Sequence, residues 1–152
     1  IVSDGSALWA SEPASGRLLK FNPATGETVE TVDACTGASA MPSMLFDGAA
    51  LWVACSDENS LARVVRDSSS VKEAYVVTRM AVDGKPGQLE MDGEWVWVAL
   101  EDSARFQAVN GKLQQGPAVT VEGASAARLL RFDGTHLWGV IERGTEAVLL
   151  KF

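Results

Sequence analysis

Apolar positions along this chain come in short runs broken by Gly, Pro, Asn, Asp and Ser, and nowhere do they recur at spacings of three and four over a dozen positions. The pattern predicts strands joined by tight turns rather than amphipathic helices. The runs are also periodic. The phrase Asp-Gly-x-x-(Leu or Val)-Trp occurs four times, at Asp4–Trp9, Asp47–Trp52, Asp92–Trp97 and Asp133–Trp138, so successive Asp residues stand 43, 45 and 41 positions apart. A period of this size marks solenoids, propellers or arrays, in which each unit buries its faces against its neighbours.

Each unit divides further. In the first, Ile1–Ser3, Ser6–Ser11, Arg17–Phe21 and Glu27–Val32 read as strands, separated by the Asp4-Gly5 turn, a loop through Pro13 and Gly16, and the Asn22-Pro23 turn. The second unit offers Pro42–Phe46, Ala49–Cys55, Leu61–Arg66 and a strand within Val71–Ala81. The third offers Gln88–Met91, Glu94–Leu100, Arg105–Val109 and Pro117–Glu122, and the fourth Arg128–Phe132, Thr135–Glu142 and Ala147–Phe152. Leu149-Leu150-Lys151-Phe152 repeats Leu18-Leu19-Lys20-Phe21, after which the first unit continues into a fourth strand, so the last unit is one strand short. The expectation is an all-β protein, a β-propeller of four blade-like repeats with the last blade incomplete, divided at residues 1–40, 41–86, 87–127 and 128–152. Strands apolar on both sides, such as Leu51–Ala54, suit blades covered on both faces; a stacked sandwich is the alternative.

Asp47–Ala54, Pro42 and Pro86 ahead of the first strands, and Gly16–Glu27 resemble blades of the YVTN and virginiamycin B lyase-like β-propellers. The resemblance runs over nearly the whole chain. It implies rings of about seven blades, secreted, periplasmic or fused to bacterial sensors. Four units then form part of a longer propeller, half of a dimeric one, or a small ring. The resemblance also implies an extracytoplasmic location. The lyase activity of the namesake needs a catalytic histidine within a constellation, and no motif here receives it.

Composition narrows the partners. With 47% hydrophobic and 22% charged residues among 152, the chain is of globular type, and a chain this long builds a core without metal or disulfide support. No apolar run approaches the length that spans a bilayer, so no membrane insertion is expected. A net charge of −7 opposes nucleic acid and anionic surfaces, which leaves protein or small-molecule ligands, a second copy, or further blades as partners. The chain opens at Ile1 without a basic-then-apolar leader, which leaves a removed leader or upstream domain open.

Several residues are candidates for chemistry. Trp9, Trp52, Trp97 and Trp138 suggest either an aromatic cage or, from their equal placement, packing between blades. Trp95 takes the place of Ala7, Ala50 and His136 and is expected to be exposed at a turn. His136, the single histidine, is a candidate base or a solvent-facing turn residue. Cys35 and Cys55 are spaced for neither a redox nor a metal pair; they read as a disulfide between a connector and a strand end, or as two buried thiols. Acidic residues recur between the second and third strands: Glu12, Asp57 and Glu58, Glu101 and Asp102, and Glu142. They gather on one end of the blades, either to attract a cationic ligand or as ordinary solvated loops. Glu90 and Arg131 share a position on successive first strands and are expected to pair or to lie exposed. No metal site, cofactor loop or nucleophile elbow is present, so the reading is a non-enzymatic binding or sensor module with an acidic loop face. A lyase- or lactonase-type enzyme and a structural assembly module are the alternatives.

Overall fold

A computed structural model describes residues 1–41, 43–69 and 74–152; the expectations that fall on Pro42 and on residues 70–73 lie outside the described residues. Four antiparallel sheets account for the regular structure, together with a 3-10 turn at Ser56–Glu58. The first holds β1 (Val2–Ser3), β2 (Leu8–Glu12), β3 (Arg17–Phe21) and β4 (Thr28–Asp33). The second holds β5 (Met44–Phe46), β6 (Leu51–Cys55), β7 (Ser60–Arg66) and β8 (Tyr75–Ala81). The third holds β9 (Pro86–Met91), β10 (Val96–Leu100), β11 (Arg105–Val109) and β12 (Gln115–Thr120). The fourth holds β13 (Ala126–Phe132), β14 (Leu137–Arg143) and β15 (Glu146–Lys151). Within every sheet, neighbours in sequence are neighbours in space, which is the meander of a propeller blade.

The turn after each first strand is longer than a two-residue hairpin. Phe46 pairs with Leu51, so Asp47–Ala50 form a four-residue loop closed by the Asp47 N–H on the Ala50 carbonyl, 3.1 Å. The same closure recurs at Asp4, Asp92 and Asp133. Gly5, Gly48, Gly93 and Gly134 hold φ between +87° and +99°, which explains the Gly at this place in every unit. Each second strand therefore starts two residues later than expected, at Leu8, Leu51, Val96 and Leu137.

Pro86 opens β9, which is an edge strand of its sheet, so its missing N–H removes no ladder bond. Pro117 lies inside β12, the opposite edge, next to a register shift between Gln107 and Val109.

The chain divides into two compact units, Ile1–Ala81 with the first two blades and Val82–Phe152 with the last two. In the first unit, Trp9, Leu18 and Val32 of blade one pack on Leu51, Val53, Ala62 and Val64 of blade two. In the second, Trp97, Phe106 and Ala108 of blade three pack on Ala127, Leu130, Leu137 and Ile141 of blade four. There Gly139 admits the Phe106 ring: a Cβ would stand 2.6 Å from its Cζ.

Candidate functional site

Each repeat builds the same Asp–indole pair, and the first, second and fourth add a cross-strand cation. The Asp that opens the turn offers Oδ1 to the backbone N–H groups two and three residues on, and Oδ2 to the indole N–H five residues on. The indole bonds measure 2.7, 2.6, 2.7 and 2.7 Å for Trp9, Trp52, Trp97 and Trp138. Burial pushes the Asp4 carboxyl up, but hydrogen bonds from Trp9, Ser6 and Ala7 outweigh it and hold the group at about 2. The Trp138 indole and the His136 and Thr135 amides likewise hold Asp133 at about 2, and Asp92 is lowered by the same kind of bonding against the same opposing burial. The indole partner is not evident from residue types; its trace in sequence is the constant spacing of five.

Cross-strand pairing supplies the cation. Trp9, Trp52 and Trp138 stand opposite Lys20, Arg63 and Lys151, whose cations lie 5.7, 5.8 and 5.5 Å from the ring centroids. These rings therefore carry cations of the chain itself, an attraction worth about 0.5–2 kcal/mol each. Trp97 stands opposite Ala108, and the Phe152 ring meets it edge-on at 5.6 Å. Lys20 also donates to the Tyr75 hydroxyl at 2.9 Å, and Tyr75 meets Trp9 edge-on at 5.1 Å.

The opposite ends of the sheets carry the loops between second and third strands, and with them the acidic residues. Asp57 Oδ2 accepts the Ala40 N–H at 2.8 Å, and Glu58 Oε1 accepts the Thr36 N–H at 2.6 Å, so both carboxylates grip the connector between blades one and two. Asp102 Oδ1 accepts the Lys85 N–H at 2.8 Å on the segment entering blade three. The Glu101 side chain lies against Gly87, where a Cβ would come within 2.6 Å of its Cγ. Glu12 accepts from the Ser15 hydroxyl and from Arg17, at 2.7 Å, and Glu142 receives both arms of Arg128, each at 2.9 Å; these bonds lower both carboxyls. Each acid thus stands at the second-to-third-strand end of its own blade, with a local structural contact.

Cys35 and Cys55 are joined by a buried disulfide, Cα atoms 5.8 Å apart, in that same junction. Around it, the Ala34 and Cys35 N–H groups donate to the Gly16 carbonyl, and Arg79 donates to the Ala34 and Asp33 carbonyls. Gly16 has φ +71°, and a Cβ there would lie 1.9 Å from the Gly37 carbonyl oxygen.

The remaining candidates are dispersed. Trp95 is half-buried rather than exposed: it lies across Gly116, where a Cβ would be 2.3 Å from its Cζ3, because the neighbouring outer strand leaves room for the ring. His136 is half-buried in its turn, its N–H on Asp133 Oδ1 at 2.8 Å, at the end of blade four opposite Glu142. Arg131 on β13 pairs with Glu90 on β9 at 2.7 Å, with Gln88 bonding the Leu130 N–H beside them. Among the described residues, no group of three or more His, Cys, Asp and Glu side chains is placed to hold a metal ion, and no helix is long and apolar enough to cross a membrane.

No protein-family model matches the sequence, and no curated protein does. Solved structures do match. Virginiamycin B lyase from Staphylococcus aureus is 17% identical, with a TM-score of 0.72 over 95% of this chain and 47% of that one. A streptogramin B lyase is 11% identical, with a TM-score of 0.74 over 99% of this chain and 52% of that one. A 6-phosphogluconolactonase-like protein of Bacteroides uniformis is 14% identical, with a TM-score of 0.67 over 98% and 54%. At these identities the likeness is one of fold: the chain has the blade architecture of the virginiamycin B lyase-like propellers and spans about half the length of the structures it matches.

Proposed function

We propose that the chain is a non-catalytic β-propeller recognition module that takes a cationic ligand or a basic protein segment at the ends of the blades where second strands turn into third. The observation that carries this reading is that Glu58 and Asp102 are each fixed by a backbone amide on the connector of their own blade. A carboxylate has about four lone-pair sites, so one amide bond leaves acceptor capacity free and already oriented. The net charge of −7 adds long-range attraction for cations. The disulfide supports an oxidising, extracytoplasmic setting.

Titration with oligolysine and with spermine, followed by amide NMR shifts and calorimetry, tests the reading. Binding should weaken with salt and with Glu58→Gln or Asp102→Asn, substitutions that keep an acceptor for the amide and remove the charge. Absence of binding at low ionic strength, or binding indifferent to both substitutions, overturns it.

The alternative, lyase- or lactonase-type catalysis, draws support from the kinds of enzyme that share the fold. Its difficulty is that the single histidine stands at the other end of its blade from the acidic loop. Turnover of a streptogramin B or a sugar lactone by the purified chain would replace the binding reading with this one.

A further inference from the structure

Inside each compact unit, one blade lays its tryptophan side on the reverse side of the next. In the first unit Leu18, two strand positions beyond Trp9 on the same face, is fully buried by blade two. Leu149 occupies the same place in blade four, paired with Val140 as Leu18 is with Ser11, yet it is 62% exposed. Leu129 completes a row with Val140 and Leu149 across three strands and is 55% exposed, beside half-buried Trp138. Among the described residues, none covers the tryptophan side of blade four at Leu129 and Leu149.

Blade one presents the matching reverse side. Leu8 pairs with Phe21 as Leu51 pairs with Val64, and Ala10 with Leu19 as Val53 with Ala62. Leu51 is 3% exposed under Trp9 of the preceding blade, whereas Leu8 is 39% exposed, and Ile1, Leu8, Ala10, Phe21 and Pro23 line an apolar groove. Contiguous apolar surface of this kind marks an association site.

We infer that two copies of the chain associate head to tail, the Trp138–Leu149 face of one copy seated on the Leu8–Phe21 face of the other. The contact repeats the junction the first unit already contains: Val140 and Leu149, which correspond to Ser11 and Leu18, meet Leu8, Ala10, Leu19 and Phe21, which correspond to Leu51, Val53, Ala62 and Val64. It is heterologous, since each copy offers two different faces. This inference is independent of the ligand taken at the acidic loops.

Light scattering across a concentration series tests it. The wild-type chain should reach twice the chain mass or a higher multiple of it, and Leu149→Glu or Leu8→Glu should each weaken association about tenfold or more, because each sets a charge in an apolar contact. Leu129→Glu is a second probe of the blade-four face, and circular dichroism checks that each variant remains folded. A mixture of Leu149→Glu and Leu8→Glu chains retains one intact pair of faces and should form a heterodimer that neither forms alone. A wild-type mass of one chain throughout, or an assembly unchanged by all three substitutions, overturns the inference.

Discussion

Replacing Asp4 by Asn isolates the bond between the turn and the buried indole. Asn keeps Oδ1 for the Ser6 and Ala7 amides but sets an amide donor against the Trp9 N–H, where Oδ2 accepts at 2.7 Å. Trp9 is fully buried, so its N–H has no water to turn to. An unsatisfied buried donor costs about 1–3 kcal/mol. For a chain of this size each kcal/mol lowers the melting temperature by about 2–4 °C, so Asp4→Asn should melt roughly 3–10 °C below wild type. Thermal and urea unfolding should be followed for Asp4→Asn, Trp9→Phe and the double variant. If the bond is the cause, the double variant loses markedly less than the sum of the singles. Asp133→Asn provides the internal comparison, because Trp138 is half-buried and its N–H reaches solvent when released; its loss should be the smaller. Equal losses at Asp4 and Asp133, or full additivity with Trp9→Phe, would refute the argument from burial.

Two further outcomes follow from the same geometry. Asp4 and Asp133 have carboxyls near 2 in the folded chain against an ordinary 3.8, so their contribution is complete above pH 3.8 and is lost as pH falls toward 2; urea midpoints measured down that range should drop less steeply in Asp4→Asn. Gly16→Ala drives a Cβ into the Gly37 carbonyl and should lower stability by more than the 1–2 kcal/mol of a left-handed Ala alone, whereas Gly48→Ala, with the same sign of φ and open space, should lose only about that amount.

The repeat, its four strands and the short fourth unit are legible in the sequence because turn residues and the Trp recur at nearly constant spacing. What stays hidden depends on contacts without a period. Asp57 reaches back 17 residues to Ala40, Glu58 22 residues to Thr36, and Asp102 17 residues to Lys85, each to a backbone amide that no side-chain pattern announces. Tyr75 and Phe152 cover Trp9 and Trp97 from different strands of different blades, so comparing repeats does not reveal them. The late start of each second strand has a local cause: the Asp side chain caps two amides, which holds four residues in the turn. Trp95 misleads because its turn position suggests solvent, whereas Gly116 opens a place for the ring.

The tryptophan stacks give the chain a built-in optical reporter. Four indoles share one kind of carboxylate partner at nearly one distance, so collisional quenching sorts them by access to solvent. Trp9 and Trp52 are sealed, while Trp138 is open on the face that also carries Arg131 and Lys151. A neutral quencher therefore reaches Trp138 and the half-buried Trp95 but not Trp9 or Trp52, and loss of the Trp138 component at high protein concentration would register the covering of that face in real time.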